Sequence, residues 1–402
     1  MTLAATTEDS IAAAVASAVA AREPVQIEGN GTKSGLLRPV QATRTISTAG
    51  LSGITLYAPK ELIISARAGT PMPEIEATLA EAGQFMIAEP PDLSALLGSN
   101  GKSQTLGGVV ATNLSGPRRV ARGAIRDHVM GIRAINGRAE LIRSGGRVLK
   151  NVTGLDLCKL FTGSYGTLGV ITEITLKVLP AAEATGTLVL PGPGAAAGIV
   201  AMSAALGSPF DVSAAAWLPA EAVAALPALD GVKGPAVLIR IEEFTDSVTY
   251  RIGRLRDQFA VAGAVTLGTE ASRSVWRDIR DVRPLAPRPR DAVWRVSVRP
   301  SAGANVLDTL RPHGVGGFLD WGGGMVWLAG PADAATHLQV EAAARAAGGT
   351  WTLLRAPDTL RATVRVIPDE PPALARITRE VKAAMDPAGI FNPGRLFADL
   401  RQ

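Results

Sequence analysis

The chain has 402 residues, of which 47% are hydrophobic, and this is enough for a large buried core and for two or three domains. Lys and Arg number 41 against 36 Asp and Glu, without a long basic run, so a nucleic-acid partner is not expected, and a bound anion explains the net charge of +5 equally well. The single cysteine, Cys158, excludes an internal disulfide and an all-cysteine cluster, and three scattered histidines predict no metal site. With neither a secretory signal nor an apolar run of membrane-spanning length, the sequence predicts a cytoplasmic protein.

The first third of the chain predicts an α+β unit. Alanine-rich residues predict a first helix at 10–21, capped by Thr7, Asp9 or Ser10. Further elements are expected in chain order as strands Val25–Glu28, Leu51–Tyr57 and Leu62–Ala68 and a helix Glu74–Ala82.

A small-residue loop, Gly29-Asn-Gly-Thr-Lys-Ser-Gly35, follows the first of these strands. A Rossmann fold would place a helix directly after the glycines, but Pro39, Gly50 and β-branched residues follow instead, so that fold is rejected. A P-loop at 98–103 is also rejected, because Leu96 stands where its first glycine is needed.

A second small-residue stretch begins at Ser103 and runs to Asp127. Its glycines and short hydroxyl side chains let a ligand approach the backbone closely, as phosphate binding requires. Four arginines follow within nine residues, which predicts an anionic partner nearby; they are Arg118, Arg119, Arg122 and Arg126.

The next segment predicts a strand pair and a third small-residue loop. Val129–Ile135 and Ala139–Ile142 flank the turn signal Asn136-Gly137. A short helix is expected within 151–160, then the loop 163–169 and a strand Val170–Val178.

Together, the three loops resemble, in order, the flavin-binding domain of the vanillyl-alcohol oxidase (PCMH-type) superfamily. The resemblance implies a two-subdomain PCMH-type FAD-binding domain at residues 1–180, a smaller α+β cap or substrate domain at 181–372, and a C-terminal helix and tail at 373–402 that pack on the FAD domain. The tail motif Asp386-Pro-Ala-Gly-Ile-Phe-Asn-Pro-Gly-Arg395 carries the last of these expectations.

The resemblance also implies FAD contacts. The expected contacts are Gly29, Asn30, Gly31, Thr32, Lys33, Thr105, Leu106, Gly107, Gly108, Thr112, Ser115, Gly116, Arg126, Asp127, Gly169, Val170 and Ile171. Many relatives attach the flavin through a histidine in the first loop, but Thr32-Lys33-Ser34 holds none, so non-covalent FAD is expected.

The second domain gives a weaker signal. It lacks the "His-x-Gly-Asp-Gly-Asn" segment of 2-hydroxy-acid dehydrogenases in the family, and its tryptophan-flanked arginines Arg295 and Arg355 are the catalytic candidates, as bidentate carboxylate ligands. The pattern looks closest to the FAD-binding subunits of bacterial glycolate oxidases. This implies glycolate or a similar 2-hydroxy acid as substrate, a second flavoprotein subunit, an iron–sulfur subunit and membrane association only through such partners. A stand-alone alcohol or 2-hydroxy-acid oxidoreductase and a UDP-sugar reductase of the same fold remain alternatives.

Overall fold

The computed structural model describes residues 2–99, 101–146 and 154–398. The first part of the predicted 151–160 element, Asn151 to Thr153, lies outside the described residues. No helix in the described ranges is long and apolar enough to cross a bilayer.

The described residues form seventeen strands. They are β1 (Thr2–Ala4), β2 (Val25–Glu28), β3 (Arg44–Ser47), β4 (Ile54–Ala58), β5 (Ile63–Arg67), β6 (Gln84–Met86), β7 (Val129–Ile135), β8 (Leu141–Gly145), β9 (Val170–Pro180), β10 (Ala184–Pro191), β11 (Ala214–Leu218), β12 (Ala236–Glu243), β13 (Val265–Leu267), β14 (Ala292–Ser297), β15 (Gly316–Asp320), β16 (Met325–Gly330) and β17 (Thr350–Arg355).

The same residues form fourteen α-helices. They are α1 (Glu8–Ala21), α2 (Met72–Glu81), α3 (Leu106–Thr112), α4 (Arg119–Arg122), α5 (Ile125–His128), α6 (Leu157–Phe161), α7 (Ala195–Leu206), α8 (Ala220–Ala225), α9 (Thr245–Phe259), α10 (Thr269–Arg280), α11 (Gly303–Leu310), α12 (Ala334–Ala346), α13 (Asp358–Thr363) and α14 (Pro372–Met385).

The chain divides into two compact units. Unit 1 comprises residues 1–114, 123–181 and 369–402, and unit 2 comprises residues 115–122 and 182–368. These boundaries lie within four residues of those expected from the sequence, except that residues 115–122 belong to unit 2.

Unit 1 contains two sheets. Strands β1, β3 and β2 form a parallel sheet in that order, and β4, β5, β9, β7 and β8 form an antiparallel sheet, with β6 pairing separately with β9. Helix α1 begins at Thr7, whose side chain accepts a hydrogen bond from the Ser10 amide in a capping box. One hydrophobic core packs α2 and α3 on the antiparallel sheet, and a second packs α1 against the parallel sheet.

The C-terminal tail belongs to unit 1. The Lys382 ammonium is buried and donates to the Asp386 carboxylate and to the Thr167 carbonyl, each at 2.6 Å. Further along, the Asn392 side chain accepts from the Ile27 amide at 2.8 Å and donates to the Tyr165 carbonyl at 2.7 Å. The tail therefore ties β2 to the loop before β9.

Unit 2 is built on one eight-stranded sheet, in the order β13, β10, β12, β11, β15, β16, β14, β17. The strand and helix patterns of this part of the sequence predict helices on one face of the sheet only, and this prediction is wrong. A Cβ added at Gly186 would lie 2.7 Å from Val248 of α9, whereas Thr187, the next residue of β10, accepts a hydrogen bond from Trp276 of α10. Because successive strand residues point to opposite faces, α9 and α10 pack on opposite sides of the sheet.

Candidate cofactor-binding site

Unit 1 contains an open cavity of about 700 Å³, including its mouth. Its walls come from five places that are distant in sequence: the end of β2 with the loop 29–34, Thr48 after β3, Thr105 with the helix α3, the segment 165–171 and the C-terminal tail. This size falls within the roughly 300–1,000 Å³ of ordinary ligand and cofactor sites.

The loop after β2 lines this cavity with residues 29–34. Gly31 has a φ of +73°, a conformation that glycine adopts without strain. The Asn30 side chain anchors the loop by donating to the Ser103 carbonyl at 2.8 Å. Within the described ranges, the backbone amides of residues 30–33 have no hydrogen-bond acceptor in the protein. Such a group of free amides is what a diphosphate requires.

Lys33 supplies a positive charge to the same wall. Its Nζ donates to the Gln104 side chain at 2.7 Å. Burial lowers the pKa of Lys33 to about 8, although the Asp92 carboxylate acts in the opposite direction. A bound anion would stabilise the ammonium form and raise this pKa.

Helix α3 has one core face and one cavity face. Leu106, Val109 and Val110 are buried in the core, whereas Gly107, Gly108, Ala111 and Thr112 line the cavity. The three core positions follow the i, i+3, i+4 spacing of a helix face.

The two glycines of α3 have different roles. A Cβ at Gly107 would lie 2.8 Å from the Ala68 Cβ, so this glycine allows the helix to pack closely on the segment that follows β5. A Cβ at Gly108 would meet only the Thr105 Oγ1 at 3.4 Å and the Lys33 Cδ at 3.9 Å. Gly108 therefore keeps space open for a ligand.

The remaining wall comes from the third loop and the tail. Gly169 and Ile171 line the cavity, whereas Val170 between them is fully buried in the core with α1. Neighbouring strand residues alternate between faces, which explains why Val170 does not reach the site. Tyr165, Gly166, Asn392 and Arg395 complete this side.

Most residues expected to contact the cofactor meet at this cavity. The lining includes Gly29, Asn30, Gly31, Thr32, Lys33, Thr105, Gly107, Gly108, Thr112, Gly169 and Ile171. Leu106 and Val170 face the core, and Ser115 and Gly116 belong to unit 2. Arg126 and Asp127 are exposed on α5, where the Asp127 carboxylate accepts from the Ala124 amide at 2.8 Å.

Nine further residues line the cavity that were not among the expected contacts. They are Ile27, Glu28, Ser34, Thr48, Ala111, Tyr165, Gly166, Asn392 and Arg395. The tail motif was the available signal for Asn392 and Arg395, and Tyr165 and Gly166 lie within the predicted third loop. Nothing in the sequence indicated Thr48, because its position in the cavity depends on the pairing of β3 with β2.

The arginine-rich segment does not line the cavity. In unit 2, Arg118 binds the Glu242 carboxylate through two hydrogen bonds, of 2.9 and 2.6 Å, and Arg119 lies over the Trp321 ring. Burial alone would raise the pKa of Glu242, but Arg240 and Arg118 outweigh burial and hold it far below its ordinary value. The predicted anionic partner of Arg118 is thus a carboxylate of the protein itself.

Arg295 and Arg355 lie on the adjacent strands β14 and β17 of unit 2. Arg355 donates to the backbone carbonyls of Arg288 and Asp291, at 2.5 Å and 2.8 Å, so its guanidinium supports the loop before β14. Burial lowers the pKa of Arg355, although Asp291 counteracts this effect. Neither arginine lines the cavity of unit 1.

The cavity fits FAD. It combines free amides, a lysine and a glycine position where a side chain would fill the space, and several separate loops line it. Among the described residues, no group of three His, Cys, Asp or Glu side chains could hold a metal ion.

Comparisons with known proteins agree with this geometry. A family model described as an FAD binding domain matches residues 1–145. The solved structure of p-cresol methylhydroxylase with substrate bound has a TM-score of 0.72 and 14% identity, covering 100% of this chain and 89% of that one. The chain therefore has a PCMH-type fold, and its first 145 residues match an FAD binding domain.

Two curated relatives narrow the assignment. The glycolate oxidase subunit GlcE of Escherichia coli (strain K12) is 35% identical over 384 residues, 95% of each chain. The glycolate oxidase subunit GlcD of Bacillus subtilis (strain 168) is 40% identical over 99 residues, 25% of this chain and 20% of GlcD. The chain belongs to the family of the glycolate oxidase subunit GlcE.

Proposed function

We propose that this chain is the FAD-binding subunit of a complex that oxidises glycolate, or a closely similar 2-hydroxy acid, and passes the electrons to a partner subunit. The observation that carries the proposal is the similarity to a glycolate oxidase subunit over 95% of both chains. The cavity of unit 1 supports it, because its amides, Lys33 and Gly108 suit a dinucleotide diphosphate.

Bound FAD would supply the two-electron acceptor for oxidation of the hydroxy acid to a keto or aldehyde acid. The chain's own residues would hold the diphosphate at the amides of residues 30–33 and beside Gly108. The ammonium group of Lys33 would add a positive point charge. Such a charge attracts a diphosphate without requiring a fixed hydrogen-bond geometry. No histidine in the loop can attach the flavin, so the cofactor would be held without a covalent bond.

The electrons would leave through other subunits. With a single cysteine, the chain cannot ligate an iron–sulfur cluster through cysteines. We therefore propose a second flavoprotein subunit and an iron–sulfur subunit as partners. The partial similarity to a second glycolate oxidase subunit, GlcD, supports a homologous flavoprotein partner. A cytoplasmic location, with membrane contact only through these partners, belongs to the same proposal.

The substrate carboxylate would need a bidentate arginine. Both candidates stay open, and Arg355 donates to the Asp291 backbone carbonyl. Replacement of each arginine by lysine tests them separately. A slower reduction of the flavin by glycolate in either variant would support a carboxylate site on this chain, and unchanged rates in both variants would support a site in a partner.

The test of the function is glycolate oxidation by this chain alone and by this chain co-purified with its partners from the native source. We expect FAD in the isolated chain but full turnover only in the complex. Full turnover by the isolated chain would contradict the complex and support a stand-alone oxidase. Reduction of the flavin by NADPH would instead support a UDP-sugar reductase.

A further inference from the structure

Glu28 is the one carboxylate among the described residues that line the cavity. It ends β2, and its backbone carbonyl accepts from the Thr48 amide at 2.8 Å. An anion in a site for a dianionic diphosphate is unexpected, because like charges at close range repel. The role of Glu28 therefore needs a separate explanation.

The Glu28 carboxylate is held in a fixed position by its own loop. Its Oε2 accepts from the Gln26 side chain at 2.8 Å and from the Ser34 hydroxyl at 3.2 Å. A Cβ at Gly31 would lie 3.6 Å from this oxygen. Both donors bind Oε2, and within the described part of the chain no group donates to Oε1. An oriented acceptor thus remains for a ligand.

The positive group of the first loop is Lys33, whose Cδ lies 3.9 Å from a Cβ placed on Gly108. Gly108 and Lys33 mark the part of the cavity that suits phosphate oxygens. Glu28, with its partner Ser34, marks a part that suits hydrogen-bond donors. Between its phosphates and its rings, a dinucleotide carries such donors as the hydroxyl groups of the ribose and of the ribityl chain.

We infer that Glu28 is the hydroxyl-binding residue of the cavity, with Oε1 accepting a hydrogen bond from a sugar hydroxyl of the dinucleotide. This inference rests on the proposed cofactor role. Glu28 is half-buried, and a site that pairs such an acceptor with a ligand hydroxyl disfavours ligands that lack the hydroxyl, because the acceptor then loses a partner. Glu28 would orient the dinucleotide along the cavity, with its phosphates toward Lys33.

The two possible roles of Glu28 predict opposite effects of removing its charge. If Oε1 binds a hydroxyl, Glu28→Gln replaces a charged acceptor by a weaker neutral one, and FAD affinity falls by about tenfold or more. If Glu28 only lies near the diphosphate, the same change removes repulsion and FAD affinity rises. Glu28→Asp keeps the charge but shortens the side chain by one methylene, so the carboxylate no longer reaches the hydroxyl. This variant therefore weakens FAD binding only if Oε1 binds a hydroxyl.

The experiment titrates FAD, ADP and FMN into the flavin-free protein by fluorescence or calorimetry, using wild type, Glu28→Gln, Glu28→Asp and, as a control, exposed Glu81→Gln. We expect weaker FAD binding in both Glu28 variants, unchanged binding in Glu81→Gln, and equal denaturation midpoints. A parallel loss for ADP identifies the ribose hydroxyls, and a parallel loss for FMN identifies the ribityl hydroxyls. Unchanged or tighter FAD binding in Glu28→Gln, with wild type still binding FAD, overturns this inference alone. Absence of FAD binding by wild type overturns the cofactor role as well.

Discussion

Replacement of Gly108 by valine should remove FAD binding and leave the fold intact. A Cβ at this position would be 3.4 Å from the nearest protein atom, the Thr105 Oγ1, so the protein can accommodate a side chain here. The side chain would instead occupy the space that the ligand needs. Displacing the diphosphate would lose about two charge-assisted hydrogen bonds at roughly 1.5–3 kcal/mol each, or about 3–6 kcal/mol together. This corresponds to a loss of affinity of more than about a hundredfold.

The matched control is Gly107→Ala, one residue earlier on the same helix. Its methyl group would lie 2.8 Å from the Ala68 Cβ and 3.0 Å from the Ala68 carbonyl oxygen, and such overpacking costs about 1–3 kcal/mol. Denaturant unfolding of the flavin-free proteins and FAD titration measure the two effects separately. We expect Gly107→Ala to lower the free energy of unfolding, and Gly108→Val to change it by less than about 1 kcal/mol while binding is lost. Normal FAD affinity in a folded Gly108→Val protein would refute the placement of the diphosphate.

Three further predictions concern charges and the flavin linkage. FAD affinity should fall as the pH rises from about 7 to about 9, because Lys33 of the free protein loses its proton near pH 8 and FAD binding favours the protonated form; titrations should show this slope in wild type but not in Lys33→Met, and a flat wild-type profile would argue against the lysine contact. Lys382→Met should destabilise unit 1 by about 3–5 kcal/mol, because it leaves the fully buried Asp386 carboxylate without its ion pair; denaturant unfolding should show this loss and a partial recovery in the double variant with Asp386→Asn, whereas a loss below about 1 kcal/mol would contradict it. Acid precipitation should release all flavin into the supernatant, since the first loop offers no histidine for attachment, and colour that stays with the pellet would show a covalent bond.

Local patterns predicted most of unit 1. The alternating segment 129–135 is strand β7 with the predicted bounds, and the capping residues before the first helix placed its start within two residues. Such signals depend only on neighbours in sequence. The helices on both faces of the sheet in unit 2 could not be predicted in the same way. Gly186 and Thr187 of β10 contact α9 and α10, and nothing in the neighbouring sequence indicates which helix packs on which face.

The candidate site shows the same limit at the level of single residues. Glycine-rich loops predicted the walls of the cavity, because their composition is unusual wherever they lie in the fold. The facing of each residue was not predictable from composition, so Leu106 and Val170 were expected in the site although they point to the core. The arginines after α3 were expected near an anionic partner, and for Arg118 that partner is Glu242, which is 124 residues away in sequence.

The FAD content of the purified chain tests the central claim most directly. The flavin-free protein is titrated with FAD, and the bound cofactor is counted from its absorbance and from protein concentration. We predict saturation at one FAD per chain, with all of it released by acid. Failure of the folded chain to bind FAD at saturating concentration would contradict the assignment of the cavity as a cofactor site.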